Sequence, residues 1–176
     1  VISRTSDGAA RGEASARAAL DALDVAGLLA PGEAQDAAGR ITSACDLDSR
    51  LSGTDLVIES IVEDMAVKQD LFARMDRLTA PGAILASNTS GLSITQIAAR
   101  CERPERVVTT HFWNPPHLMP LVEIVLGEKT SPELAATLKD LFKACGKAPV
   151  VVKKDRPGQL GNRLQMALFR EAVNIV

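Results

Sequence analysis

Strand and helix signals alternate along this chain, which predicts an α/β fold with a Rossmann-like, doubly wound and mostly parallel sheet. Three observations carry that expectation. The run at residues 55–60 is apolar at consecutive positions, as in a strand covered by helices on both faces. The segments between such runs repeat their apolar residues at helical spacing. With four Phe, one Trp and no Tyr among 176 residues, the core must be built mainly from aliphatic side chains, which suits helices laid on a sheet.

The elements follow in order. Val1-Ile2-Ser3 reads as a strand end, and Ser3, Thr5, Ser6, Asp7 and Gly8 as a turn and cap cluster. A helix is expected over about residues 11–29, with Leu20, Leu23 and Leu28 near helical spacing. Ala30-Pro31-Gly32 breaks it, a short helical piece follows, and residues 40–43 form a brief edge strand. Residues 55–60 make the first strong strand. From Asp64 to about Leu78, the residues Val67, Leu71, Phe72, Met75 and Leu78 share one helical face, and Pro81-Gly82 ends that helix. Residues 83–86 form a second buried strand. Ser93 and Gln96 read as a capping box, each bonding the other's backbone N–H. Residues 106–110 and 121–126 are further strands. Ser131-Pro132 opens a helix with a stripe of Leu134, Leu138, Leu141, Phe142 and Cys145. Residues 148–152 are a fifth strand, and Pro157-Gly158 leads into a final helix that reaches Val176.

Charge and composition exclude several classes. Lys+Arg 20 against Asp+Glu 22 leaves a formal charge of −2, which supplies no basic field for nucleic acid. Three cysteines, Cys45, Cys101 and Cys145, are odd in number and never spaced as C-x-x-C. That argues against a disulfide framework or a zinc site, and for a reducing, cytoplasmic setting without metal. No apolar run nears the roughly 20 residues of a membrane span. The chain begins without Met and already strand-like, as a fragment would.

In an open α/β sheet, ligands sit beyond the carboxyl ends of the strands. Four places qualify: Ser3-Arg4, Glu59 to Glu63, Asn88-Thr89-Ser90, and His111 with Asn114. Only two histidines exist, His111 and His117; His111 ends a strand, while His117 follows two prolines in a loop and reads as a surface residue. Glu123 stands inside the apolar run Leu121-Val122-Glu123-Ile124-Val125. An unpaired charge there would cost several kcal/mol, so it needs a buried cationic or hydrogen-bonding partner. A histidine supplies one, and a carboxylate-held imidazole is a base with a fixed tautomer. Two chemistries use such a pair: a serine hydrolase with Ser90 as nucleophile, lacking the G-x-S-x-G elbow, or proton abstraction coupled to hydride transfer. Spacing does not choose between them.

The segments Ala86-Ser87-Asn88-Thr89-Ser90-Gly91-Leu92-Ser93-Ile94-Thr95, His111-Phe112-Trp113-Asn114-Pro115, Leu121-Val122-Glu123, Lys154-Asp155-Arg156-Pro157-Gly158 and Asn162-Arg163 closely resemble the L-3-hydroxyacyl-CoA dehydrogenase family from residue 55 to 176. The resemblance implies an NAD-dependent oxidoreductase of fatty acid metabolism that interconverts L-3-hydroxyacyl-CoA and 3-ketoacyl-CoA. It implies His111 as the base, Glu123 as its orienting carboxylate, and Ser90 and Asn162 as hydrogen-bonding partners of the reacting substrate. Asn114 matches an asparagine beside the histidine near the nicotinamide. Asn88, Ser90, Glu63 and Lys68 fall at cofactor-binding positions; a helix N-terminal acid and a solvated helix face are the alternatives for the last two. It further implies residues 1–156 as a partial dinucleotide-binding domain, and 157–176 as the start of a helix leading to an absent all-α domain that forms a homodimer.

Three departures shape that expectation. No G-x-G-x-x-G occurs, so the first strand, Gly-rich turn and helix of the family are expected to precede Val1. Ser3-Arg4 stands where an acidic residue usually receives the ribose hydroxyls, a pairing suited to a 2′-phosphate and hence to NADP beside NAD. The region 18–26 carries no Lys for CoA, and Asn114-Pro115-Pro116 with Pro120-Leu121-Val122-Glu123 resembles gulonate and carnitine dehydrogenases, which act on free hydroxy acids. A free 3-hydroxy acid is therefore the alternative substrate, and a non-catalytic, crystallin-like protein a further alternative.

Overall fold

Thr5 starts the chain's first helix by accepting the Gly8 N–H on its hydroxyl at 3.1 Å, the ordinary work of an N-cap. The computed structural model describes residues 1–176, which divide into two compact units, 1–52 and 53–176. The first unit holds α1 (Ser6–Val25), α2 (Glu33–Gly39) and α3 (Asp48–Leu51). Helix α1 starts before the expected Arg11 and stops four residues short of Leu29. Gly27 is the reason: at φ +69 it takes the left-handed conformation, and the Leu28 N–H bonds Leu23 O while the Gly27 N–H bonds Asp24 O. That is a Schellman stop, and it leaves Leu28 outside the helix and 63% exposed.

The strands expected at 1–3 and 40–43 reduce to one parallel bridge, Ile2 to Ala44. Two backbone bonds make it, Ser3 N–H to Ala44 O at 3.1 Å and Ala44 N–H to Val1 O at 2.9 Å. Thr5 turns the chain into α1 directly afterwards, which ends the pairing at Ser3. Ser3 is half-buried and Arg4 exposed in this unit.

The second unit is built on β1 (Leu56–Glu59), β2 (Ile84–Ser87), β3 (Val107–Phe112), β4 (Leu121–Leu126) and β5 (Ala148–Val152), in spatial order 1-2-3-4-5. Helices α4 (Met65–Leu78), α5 (Ile94–Ile97), α6 (Pro132–Ala144) and α7 (Leu160–Ile175) complete it, with two 3₁₀ turns at Ala98–Arg100 and Pro104–Arg106. Every strand pair is parallel except β3 with β4. The exception has a simple cause: β3 and β4 are joined by a short loop, whereas a parallel return needs a crossover of a dozen or more residues. No helix is long and apolar enough to cross a membrane.

Register sorts the side chains. On one face Ala86, Val108, Val122 and Ile124 pack against Leu134, Ala135, Leu138 and Phe142. The α6 stripe is rotated slightly from its expected setting, so Ala135 is buried while Leu141 and Cys145 are exposed. The period of two then sends Ser87, Thr109, His111 and Glu123 to the opposite face. The double cover expected of residues 55–60 belongs instead to β3 and β4; Ile58 of the edge strand β1 is 43% exposed.

Helix α4 turns inward two residues that an apolar pattern leaves out. Lys68 and Asp76 are each 1% exposed, whereas Val67, expected on the buried face, is 46% exposed. Ion pairs fix that rotation. Asp76 Oδ1 accepts from Arg106 Nε at 3.0 Å and Nη2 at 2.6 Å, and Oδ2 accepts the N–H groups of Glu102 and Arg103. Burial pushes the Asp76 carboxyl up, but the Arg106 hydrogen bonds and the two backbone donors outweigh it and hold the carboxyl below its ordinary range.

Asp76→Ala leaves the Arg106 guanidinium buried and unpaired, so urea unfolding at neutral pH is expected to show a loss of about 3–5 kcal/mol. Because the folded-state value is lowered, Asp76 contributes fully above its unfolded value. The gap between wild type and variant therefore narrows as pH falls through the folded value.

Candidate active site

Glu123 and His111 are directly opposed across β3 and β4, so the sheet register itself brings them together. His111 Nδ1 lies 2.6 Å from Glu123 Oε2, with the residues 6% and 1% exposed. The same oxygen accepts from Trp113 Nε1 at 3.3 Å, and Oε1 accepts the Gly161 N–H at 2.7 Å. Indole and peptide N–H groups only donate, so both carboxylate oxygens act as acceptors and the imidazole proton belongs on Nδ1. Nε2 is left as an acceptor.

The Gly161 bond has a second meaning. Gly161 is the second residue of α7, where backbone N–H groups have no partner within the helix. Glu123 takes one of them and places its charge at the positive end of the helix dipole. The approach is tight, since a Cβ on Gly161 would stand 2.4 Å from the Trp113 ring.

The polar loop after β2 is the other half of the site. Asn88 Oδ1 accepts the Phe112 N–H at 2.8 Å, its Nδ2 donates to Ser60 Oγ at 3.3 Å, and its own N–H bonds Glu59 O. It thus ties the carboxyl ends of β1, β2 and β3 together, one residue beyond His111. Ser90 is exposed; its N–H donates to Glu63 Oε1 at 3.1 Å and its carbonyl accepts from Asn162 Nδ2 at 3.2 Å. Gln159 Nε2 donates to Thr89 O at 3.3 Å, a second link from the start of α7 to this loop. Asn114 is exposed in the loop after β3, and His117, expected at the surface, is half-buried.

Four of the expected residues are therefore brought together in two linked pairs, His111 with Glu123 and Ser90 with Asn162. Gly161 and Asn162 are adjacent in the chain and join them. The capping box is made differently from expectation: Ser93 accepts the Gln96 N–H at 3.2 Å, and Asp155 Oδ2 accepts from Ser93 Oγ at 2.6 Å and the Thr95 N–H at 2.9 Å. Asp155 thereby holds the approach to α7 against α5. Arg163 Nη1 donates to Pro157 O at 3.1 Å.

Glu63 and Lys68 lie together but differently from a solvated helix face. Lys68 is buried between Glu59 and Glu63, at 2.7 and 3.4 Å. Partial burial pushes the Glu63 carboxyl up, but the Thr89 hydroxyl and the Lys68 charge prevail and hold it below the usual carboxylate range. Sequence reasoning missed Trp113 and Gly161 as supports of Glu123, and placed Glu59 only among the residues beyond a strand's carboxyl end, without its partners Lys68 and Ser87. A signal for Glu59 was present: it is a carboxylate that closes an apolar run, where Glu123 interrupts one.

The main-chain N–H and carbonyl of Ser90 bond Glu63 and Asn162, while the His111 ring bonds Glu123 and meets the Trp113 ring edge-on. Burial pushes the Cys101 thiol up to about 11, so it is no thiolate at neutral pH. No group of three or more His, Cys, Asp or Glu side chains is arranged to hold a metal ion.

Gly161→Ala is expected to displace Trp113 and loosen the Glu123 contacts, at a cost of about 1–3 kcal/mol. Trp113 is the sole tryptophan, so the displacement should appear as a shifted fluorescence emission; an unchanged spectrum and stability would contradict the close approach.

Comparison with known proteins identifies the family of the chain. The family description "3-hydroxyacyl-CoA dehydrogenase, NAD binding domain" matches residues 1–156. A 5-formyl-3-hydroxy-2-methylpyridine 4-carboxylate 5-dehydrogenase from Mesorhizobium japonicum is 43% identical over 154 residues, 88% of this chain and 49% of that one. A crystal structure of a dehydrogenase of that name, described as an NAD+ dependent dismutase, matches with a TM-score of 0.88 at 39% identity, over 99% of this chain and 56% of that one. An L-carnitine dehydrogenase from Burkholderia mallei is 40% identical over 90% of this chain and 48% of its own. A probable 3-hydroxybutyryl-CoA dehydrogenase from Bacillus subtilis is 46% identical over 69% of this chain and 42% of its own. The chain spans about half the length of the curated relatives it matches. NAD is the cofactor these comparisons support. The chain belongs to the 3-hydroxyacyl-CoA dehydrogenase family, and its residues 1–156 correspond to the family's NAD-binding domain.

Proposed function

We propose that the protein containing this chain oxidises the 3-hydroxyl of an L-3-hydroxyacyl-CoA to the ketone, and runs the reverse reduction, with His111 and Glu123 as its acid-base pair. The observation that carries the reading is the 2.6 Å contact between His111 Nδ1 and Glu123 Oε2, in a carboxylate already held by two further donors. NAD, held by residues such as Ser90, Asn114 and Glu63, would supply the acceptor for the hydride that leaves C3. The chain's own residues do the rest. His111 Nε2 takes the hydroxyl proton as the C3–O bond becomes a carbonyl, and Glu123 stabilises the imidazolium that results. Ser90 and Asn162 would hydrogen-bond the substrate oxygen and hold C3 in place. The exposed Ser90 and Asn114, at the carboxyl ends of β2 and β3, suit contact with the nicotinamide end of the cofactor, beside Glu63. In the reductive direction the imidazolium returns its proton to the forming alkoxide.

A free hydroxy acid is the second reading. Helix α1 carries no Lys for a CoA moiety, and two of the relatives above act by name on a pyridine carboxylate and on carnitine. Ser3-Arg4 adds tolerance of the 2′-phosphate of NADP to what is tested. Dimerisation belongs to the same reading, supported by exposed apolar residues of α7 such as Leu164 and Phe169.

The test follows reduced nicotinamide absorbance in the complete protein with acetoacetyl-CoA, using NADH and NADPH in parallel. Oxidation by wild type and a fall of about 10²–10⁴-fold in kcat for His111→Gln are expected. Inertness toward acetoacetyl-CoA with turnover of L-carnitine or a free 3-hydroxy acid would select the second reading; a His111→Gln variant as fast as wild type would remove the base.

A further inference from the structure

The reaction scheme leaves a buried ion pair unused. Glu59, the last residue of β1, is 4% exposed and Lys68 is 1% exposed. Lys68 Nζ donates to Glu59 Oε1 at 2.7 Å and to Ile61 O at 3.4 Å, and stands 3.4 Å from Glu63 Oε2. An ammonium has three protons, so these three acceptors saturate it. Glu59 is held in turn: its Oε2 accepts from Ser87 Oγ at 2.7 Å and its Oε1 accepts the Ile61 N–H at 2.5 Å.

Glu63 is the outward end of this chain of charges, with its side chain 44% exposed. It accepts from the Thr89 hydroxyl and from the N–H groups of Ser90 at 3.1 Å and Gly91 at 3.3 Å. Three consecutive residues thus converge on one carboxylate, as in an anion-binding nest with the anion supplied by the protein. The middle residue of that turn is Ser90. A surface carboxylate on its own is poorly located; this one is located by an ammonium, and the ammonium by Glu59 and Ser87 in the sheet.

We propose that Glu59 is a positioning residue which, acting through Lys68 and Glu63, sets the place of Ser90 and so of the substrate oxygen that Ser90 binds. Its effect on turnover rests on the dehydrogenase reading, whereas its effect on the turn does not. Glu59→Gln keeps the shape and an acceptor oxygen for Lys68 but removes the charge. Glu63 is then the only charge paired with the ammonium, and the carboxylate and the turn move with it.

Two measurements on the same variants test this. The first is amide hydrogen exchange: in Glu59→Gln, exchange at Ser90 and Gly91 should quicken by roughly tenfold or more, while amides of β3 and β4 keep their rates. The second is a double-mutant cycle on kcat/KM. Glu59→Gln should cost at least roughly tenfold in the wild-type background and less than about twofold in a Ser90→Ala background, with Glu59→Asp recovering part of the loss. Unchanged exchange at Ser90 and Gly91, or losses that simply multiply in the cycle, would overturn the proposal. If wild type turns over no hydroxyacyl substrate, the functional reading fails while the exchange result still decides the positioning role. Should Glu59→Gln fail to fold, Ser87→Ala, which keeps all three charges, is expected to quicken the same amides to a smaller extent; no change there would equally overturn it.

Discussion

The rest of the site depends on a carboxylate placed in the middle of an apolar strand. Glu123 is 1% exposed, and a charge so placed is tolerated only when its lone pairs are met by donors. The protein meets them from three directions: the opposing strand through His111, the following loop through Trp113, and the first turn of α7 through Gly161. Each donor has a structural consequence. The histidine acquires a defined orientation, the indole lies between the His111 ring and Gly161, and α7 starts where its second N–H can reach the sheet. Asn162, next along α7, is thereby delivered to the carbonyl of Ser90.

A second buried pairing organises the neighbouring strand ends. Lys68 and Asp76, two turns apart on α4, both face inward, the first to Glu59 and the second to Arg106. Together they set the rotation of α4 on the sheet, at the expense of Val67. Charged residues thus hold both halves of the site, while the α6 face of the sheet is held by aliphatic and aromatic contacts. The division is sensible physically. Packing tolerates small shifts of a core, whereas a hydrogen-bonded charge loses much of its value over a fraction of an ångström.

The parts legible in the sequence were those with local causes. The five strands, the helix beginning at about Asp64 and the Pro-led start of α6 follow from patterns within a few residues of one another. Glu123 announced its need for a partner because a charge in an apolar run is costly wherever the chain goes. What stayed hidden depends on residues distant in sequence. The inward turn of Lys68 and Asp76 requires knowing that Glu59 and Arg106 face them. Gly161 looks like an ordinary helical glycine until Trp113 is placed beside it. The early stop of α1 was readable in principle, but Ala30-Pro31-Gly32 is a louder signal than the single Gly27 that ends the helix. The strand end at Val1-Ile2-Ser3 was legible too, because Val and Ile suit a strand and Thr5 caps the helix that follows it.

Through its contact at Nδ1, Glu123 is expected to hold the His111 proton there and leave Nε2 free to accept another. Nitrogen-15 NMR of the imidazoles measures this directly, and with only two histidines in the chain a His111→Gln control assigns the signals. Neutral His111 is expected to carry its proton on Nδ1, and Glu123→Gln to shift the population toward the other tautomer. A neutral His111 protonated on Nε2, or a tautomer indifferent to Glu123→Gln, would contradict it.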